Sequence, residues 1–296
     1  MKHEFLLRSM MFVPGHNERL LKSAERSDAD ALILDLEDSV QPNDQKQVAR
    51  EMIAASVRDG LFERHAIFPR LNDRESGELL KDVRALAIDG VDGFVYPKAR
   101  TGQDVYSFDK LLEATEAERG FPNGTFKIVP LIETTAAVLN AQEIIQASDR
   151  VIAIAFGCED FVGDLGGIHD PDGRSIFTPR ALVAMAAKAN EVQAIDTVHI
   201  RVHDLEDLEK NLRLAQILGF DGMLVLHPKE LPLVHEYFSP SEEQVAEARE
   251  MLRLFDVAVE SKKGVAVLNG KFIGPPMVLA AKQVLALHAA IVDAGE

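Results

Sequence analysis

From residue 9 to residue 228, short apolar runs rich in β-branched residues alternate with longer segments of helical period. The runs at 9–14, 31–38, 65–72, 93–99, 126–134, 151–160, 196–202 and 222–228 read as strands. Helical periodicity covers 18–27, 43–57, 77–87, 135–147, 179–192 and 205–218 between them, with Pro179 suited to a first helical turn. Strict alternation of this kind makes neighbouring strands parallel, because each helix carries the chain back to the starting end of the sheet. Eight units predict an α/β chain closed into a (β/α)8, or TIM, barrel. The competing fold is an open doubly wound sheet. That fold usually carries a glycine-rich nucleotide loop after its first strand, and VPGHNERL at 13–20 is not one.

The barrel is assigned to residues 1–238 and a C-terminal extension to 239–296, packing on its own or on a neighbouring subunit. Ser239-Pro240-Ser241 followed by glutamates starts a helix, GVAVLNGKFIG at 264–274 predicts a β-hairpin turning at Asn269-Gly270, and a last helix covers 276–292. GGIHDPDGRSIFTP at 166–179 reads as a surface loop. The chain has 296 residues and a net charge of −16, which argues against nucleic acid and anionic membranes as partners. No uninterrupted apolar run reaches the roughly 18 residues of a membrane span. A single cysteine, Cys158, excludes an internal disulfide and fits a reducing, cytoplasmic setting.

Barrel enzymes gather their chemistry at the C-terminal ends of the strands. Strand 2 ends in Asp35-Leu36-Glu37-Asp38, strand 3 in Pro69-Arg70-Leu71-Asn72, strand 4 in Pro97-Lys98 and strand 5 in Glu133-Thr134. Strand 6 ends in Gly157-Cys158-Glu159-Asp160, strand 7 begins at Asp196, and strand 8 ends in His227-Pro228. One ionisable residue leaving a core is unremarkable; six such strand ends together are not. Glu133 and Asp160 lie on neighbouring strands, and two carboxylates that converge share either a proton or a cation. Oxygen ligands without His or Cys beside them favour magnesium over zinc. Arg70 would face the same mouth and clamp a carboxylate or enolate oxygen. Glu37 and Asp38 could accept from metal-bound water, and the turn at Gly157 could offer backbone N–H groups to a substrate carboxylate. Such an arrangement suits stabilisation of an enolate. Cys158 as a nucleophile, Lys98 as a Schiff base, and His16 and His227 as functional groups are the weaker readings. Lys98 fits better as an ion-pair partner for the acidic mouth.

On these residues the chain resembles the citrate lyase beta-chain family, which includes malyl-CoA and citramalyl-CoA lyases. The resemblance rests on RSMMFVPG at 8–15, DALILDLEDSV at 30–40, PRLN at 69–72, GVDGFVYPKA at 90–99 and VPLIET at 129–134. It continues through FGCEDFVGDLG at 156–166, ILGFDGMLVLHP at 217–228 and FSPSEEQVAEA at 238–248. The resemblance implies a magnesium-dependent lyase that cleaves or forms a carbon–carbon bond between a CoA-thioester enolate and a carbonyl acid. It makes Glu133 and Asp160 the metal ligands, and makes Arg70 and Glu133 catalytic. Arg70, Glu133, Gly157 and Glu159 are then the expected substrate contacts, and the expected assembly is a homo-oligomer, a trimer or hexamer.

Two departures from the family pattern stand out. Gly274 occupies the place where CoA-lyase members carry an aspartate before a proline-containing helix, leaving the proton-transfer residue unassigned. After VPG, where members place an arginine and a lysine toward CoA, this chain has Asn17, Arg19 and Lys22. The expected activity is thus cleavage or condensation of a 3-hydroxyacyl-CoA such as citryl-, malyl- or citramalyl-CoA. The alternatives are a CoA-independent metal aldolase acting on hydroxy-keto acids, and a catalytically weak structural or regulatory paralogue of a citrate lyase subunit.

Overall fold

A computed structural model describes residues 4–170, 172–260, 266–268 and 271–295. It contains two compact units, residues 7–234 and residues 4–6 with 235–295.

The larger unit holds eight parallel strands: β1 (Ser9–Pro14), β2 (Ala31–Asp35), β3 (Ala66–Ile67), β4 (Gly93–Tyr96), β5 (Lys127–Ile132), β6 (Ala153–Phe156), β7 (Gln193–Asp196) and β8 (Gly222–Val225). Their order is β3-β2-β1-β8-β7-β6-β5-β4, each pair parallel. Helices α1 (Glu18–Ala24), α2 (Gln45–Arg58), α3 (Leu79–Leu86) and α4 (Gly102–Arg119) follow the first four strands. After β5 come α5 (Thr135–Leu139) and α6 (Ala141–Gln146), after β6 α7 (Cys158–Leu165) and α8 (Arg174–Ala189), and after β7 α9 (Leu205–Leu218). All five residues of β2 and all four of β4, β6, β7 and β8 are buried, as expected of strands covered on both faces.

The ring closes at an interrupted strand. β3 is short because Pro69 has no N–H to give to a ladder. Its carbonyl nevertheless accepts from the Val95 N–H at 3.0 Å, and the Leu71 N–H donates to the Val95 carbonyl at 3.2 Å. On the other side, the Arg70 N–H donates to the Leu34 carbonyl and the Leu36 N–H to the Arg70 carbonyl, both at 3.0 Å. Arg70 thus forms a parallel bridge to β2 and another to β4, and together with the Asp92 N–H donating to the Ile67 carbonyl at 3.0 Å this completes the expected barrel.

Several element boundaries differ from the sequence expectation. The strand expected at 196–202 lies at Gln193–Asp196, so Asp196 ends β7 instead of beginning it. There Asp196 forms a fully buried pair with Arg180 of α8, whose Nε donates to its Oδ1 at 3.0 Å. The apolar alternation that suggested 196–202 belongs to a loop in which His199 is drawn inward while Ile200 is 54% exposed. The run at 151–160 stops as a strand at Phe156, and Cys158–Asp160 form the first turn of α7. Within the expected loop at 166–179, α8 already begins at Arg174, with Pro179 inside it. The helix expected over 135–147 is broken at Asn140, whose side chain donates to the Arg100 carbonyl at 3.0 Å.

The smaller unit contains the end of α10 (Leu231–Tyr237), then α11 (Glu242–Glu260), a two-stranded antiparallel sheet and α12 (Pro275–Gly295). The strands Ala266–Leu268 and Lys271–Ile273 form the expected hairpin; its Asn269-Gly270 turn lies outside the described residues. Ile273 and Val278 pack with Met251, Leu252, Leu254, Phe255 and Ala258 as its core. The Gly274 carbonyl opens α12 by accepting from the Met277 N–H at 3.0 Å. Contrary to the sequence reading, Pro275–Ala294 is long and apolar enough to cross a membrane, with mean hydropathy 1.5. Isolated polar residues such as Lys282 and His288 break the apolar run without cancelling its mean.

Candidate active site

Side chains alternate along a strand, so Asp35 and Glu37 leave β2 on one side and Leu36 on the other. Asp35 is 1% exposed and is the hub of the cluster. Its Oδ1 accepts from Arg70 Nε at 2.7 Å and from the Glu37 N–H at 2.9 Å. Its Oδ2 accepts from Arg70 Nη2 at 2.8 Å, from the Ser39 N–H at 3.0 Å and from Ser39 Oγ at 2.5 Å. Burial pushes this carboxyl up, but Arg70 and the Ser39 and Glu37 donors outweigh it and hold it below the usual aspartate value. Lys46, from α2, reaches under the same turn and donates to the Leu36 and Glu37 carbonyls at 3.0 and 3.1 Å.

Arg70 is buried, with its guanidinium 4.9 Å from the centre of the Phe12 ring. Besides its two bonds to Asp35, its Nη1 donates to Asp38 Oδ2 at 3.1 Å and stands 3.0 Å from Glu37 Oε2. The second contact is an ion pair outside hydrogen-bond geometry, so Glu37 Oε2 is buried without a hydrogen bond. Glu37 Oε1 accepts from Lys98 Nζ at 2.9 Å. Burial raises the Glu37 carboxyl, and the opposing pull of Arg70 and Lys98 does not fully offset it. Lys98 loses some cationic character to burial but gains more from Glu37, so its ammonium is held protonated.

Glu133 closes β5 at 1% exposure, and Thr134 behind it caps α5 by accepting from the Ala137 N–H at 3.1 Å. The Lys98 N–H donates to Glu133 Oε1 at 2.7 Å. Gly157 has a steric reason to be glycine, because a Cβ there would lie 2.8 Å from Glu133 Cβ and 3.0 Å from Glu133 Oε2. Burial, then the charges of Glu37 and Asp160, push the Glu133 carboxyl up to about 8.

Asp160 lies in the first turn of α7, where the helix dipole favours a carboxylate. The Gly157 N–H, offered above as a substrate donor, is engaged by the Ile132 carbonyl at 2.9 Å. The Cys158 N–H is engaged by Thr197 Oγ1 at 3.1 Å. Donors toward a substrate carboxylate would therefore come from Glu159 and Asp160, in the turn where helices leave N–H groups unpaired. The Glu159 side chain itself points to His169 Nε2, 3.3 Å away.

The structure thus joins Arg70, Glu37 and Asp38 directly and links Glu133 to them through Lys98; Asp160 enters through its charge on Glu133. Lys46 is the member that sequence reasoning missed, and Asp35, named at the end of strand 2, was given no role there. The period-two alternation from Asp35 to Glu37 was the available signal. Cys158 is buried, and burial pushes its thiol up to about 12, which disfavours the thiolate a nucleophile needs. His227 is a packed rim residue whose Nδ1 accepts from the Lys229 N–H at 3.1 Å. Beside it, buried His199 pairs through Nε2 with Asp207 at 3.0 Å and sets Nδ1 3.4 Å from Glu230 Oε1.

Among the described residues no three His, Cys, Asp or Glu side chains are gathered closely enough to form a metal site, but the charge balance of the cluster would accept a divalent cation. Five carboxylates (Asp35, Glu37, Asp38, Glu133 and Asp160) stand against three cations (Lys46, Arg70 and Lys98), a formal surplus of two negative charges. The surplus sits beside a buried oxygen without a hydrogen bond and a carboxyl crowded by two others. Glu133 and Asp160 are the acids of this group with no basic side chain bonded to them, and hard oxygens are magnesium's ligands.

The structure is a barrel with a carboxylate–arginine cluster at its strand ends, and comparison with known proteins gives the family. Residues 8–228 match the HpcH/HpaI aldolase/citrate lyase model, and the chain belongs to that family. It is 34% identical over 283 residues to the citrate lyase subunit beta of Haemophilus influenzae, spanning 95% of this chain and 96% of that one. It is 30% identical over 288 residues to a (3S)-malyl-CoA thioesterase of Cereibacter sphaeroides, spanning 97% and 96%. Among solved structures it resembles the protein CitE of Mycobacterium tuberculosis in complex with magnesium, acetoacetate and coenzyme A. That match has a TM-score of 0.73 and 29% identity, and covers 98% of both chains.

Proposed function

We propose that this chain is a magnesium-dependent carbon–carbon lyase that cleaves, or in reverse condenses, a 3-hydroxyacyl-CoA thioester such as citryl-, malyl- or citramalyl-CoA through an enolate. The observation that carries the reading is the buried Glu133 carboxylate, held by a backbone N–H and crowded by other acids at the strand ends facing Arg70. Glu133 and Asp160 would hold magnesium, which when bound supplies a Lewis acid for negative charge on a carbonyl oxygen. Arg70 has five N–H groups, and three are engaged by Asp35 and Asp38. The remaining Nη hydrogens would steady the enolate oxygen or substrate carboxylate while Asp35 fixes the plane of the guanidinium. Donors in the first turn of α7 would orient a carboxylate of the substrate. The chain is further assigned to a trimer or hexamer, with the extension at 239–296 packing on its own or a neighbouring subunit.

One observation favours the CoA-independent aldolase reading. Asn17 is engaged as the cap of α1, and Lys22 is paired with Glu18 at 2.5 Å. The purified protein with magnesium, offered each of the three thioesters, should release a keto acid and a shorter acyl-CoA from at least one. Release of free CoA alone would place the activity with the thioesterase relatives. Exchange of pyruvate methyl protons without thioester cleavage would favour the aldolase. No reaction with any of these substrates would overturn the lyase assignment.

A further inference from the structure

Among the described non-glycine residues, only Lys98 and Glu191 have positive φ. Glu191 follows the end of α8, where left-handed caps are routine. Lys98, at φ +51°, ends no helix; it lies just past β4, between the acidic groups of the site. A side chain with a Cβ resists this conformation, and such strain persists where the surroundings over-determine it. Here two bonds do so. In this one conformation the Lys98 N–H meets Glu133 Oε1 at 2.7 Å and its ammonium meets Glu37 Oε1 at 2.9 Å. The other Glu37 oxygen stands 3.0 Å from Arg70.

We propose that Lys98 is a positioning residue whose left-handed backbone aims an N–H at Glu133 while its side chain holds Glu37 against Arg70, so that one residue sets the spacing between the two halves of the site. This rests on the assignment of Glu133 as a magnesium ligand. The backbone function and the ammonium function are separable. Glycine accepts φ +51° without strain and keeps the N–H, whereas a β-branched residue keeps the N–H but resists the conformation. Lys98→Gly and Lys98→Val lose the same charge, so any difference between them isolates the backbone.

Magnesium binding is to be measured by titration calorimetry on the full chain without substrate. Lys98→Gly should bind magnesium no more weakly than the wild type, because a cation has left an acidic cluster. Lys98→Val should bind at least tenfold more weakly than Lys98→Gly, and Lys98→Ala should fall between them and serve if the valine variant does not fold. With substrate, Lys98→Gly should lower kcat with magnesium affinity retained, and Lys98→Arg should restore part of kcat. Equal magnesium affinity in the glycine and valine (or alanine) variants would overturn the proposal. A crystal structure is a second readout that needs no metal. Retention of both positive φ and the Glu133 bond in the valine or alanine variant would overturn it; loss of the bond there, with retention in Lys98→Gly, would support it. Failure of wild-type calorimetry would count against the magnesium assignment, while the crystal structures would still decide the backbone role.

Discussion

Asp35 shows how one carboxylate can organise a site it need not serve directly. Removing one partner of a buried ion pair leaves the other charge uncompensated, which costs about 3–5 kcal/mol. Asp35→Asn should therefore lower unfolding free energy by roughly that amount in urea titrations, and activity should fall with it as Arg70 loses its fixed plane. The sign with pH follows from the lowered carboxyl. Its stabilisation is fully present above the unfolded aspartate value of about 4 and is lost as pH falls through the lower folded value. The acid limb of the stability profile should flatten in Asp35→Asn. Gly157→Ala tests the opposite face. Its new Cβ must displace Glu133, so magnesium affinity should drop at least tenfold while far-UV circular dichroism is unchanged, with a stability loss of about 1–3 kcal/mol. Glu133, Arg70, Glu37 and Asp38 were legible in the sequence because ionisable groups stood where apolar strands end. Asp35 stood in the same strand end but its role as hub did not show, and Lys46 was not legible at all, because these roles depend on the direction of a side chain and the reach of a helix, which strand boundaries alone do not supply.

At the scale of elements, the loop after β7 is tied to the turn after β8 by His199, set between Asp207 and Glu230. Burial lowers the imidazole's affinity for a proton, but Glu230 and Asp207 together outweigh it and the net shift is upward. A histidine raised on folding contributes fully below its unfolded value of about 6.5, and the contribution is lost as pH rises through the folded value. Urea midpoints of the wild type should fall as pH increases from about 6.5, and His199→Gln should remove that slope. An unchanged slope in the variant would assign the titration elsewhere. This cluster also explains why β7 was misplaced. The alternating residues after Asp196 carry the strand pattern, but Thr197 bonds the Cys158 N–H while His199 and Arg201 are drawn to Asp207, and His199 also to Glu230, instead of into a ladder. Helix α4 escaped sequence reading for a different reason: its buried face mixes Gly102, Thr115 and Glu116 with Val105, Phe108 and Leu112, so polar residues interrupt the apolar stripe. Strand count survived such local errors because eight buried apolar segments are difficult to hide.

For the whole molecule, the barrel follows from alternation alone, whereas assembly does not. The smaller unit leaves Phe272 and Leu279 each 58% exposed, and only 11% of the apolar α12 window is buried. In the proposed trimer or hexamer this apolar surface is where copies of the chain would meet. Light scattering should give a trimer or hexamer, and the double variant Phe272→Asp, Leu279→Asp should give monomer. A wild-type mass for that variant would show that these residues are not the covered ones. The closure of the ring through Arg70 has a consequence for how the protein fails. The bonds that cross this seam are made by the Leu71 and Val95 N–H groups on either side of Arg70, so a molecule whose seam has parted keeps most of its secondary structure but no longer holds the Arg70 backbone between two strands. Warming should therefore abolish the proposed lyase activity several degrees before circular dichroism reports melting, and amide exchange at Leu71 and Val95 should follow the loss of turnover instead of the loss of fold.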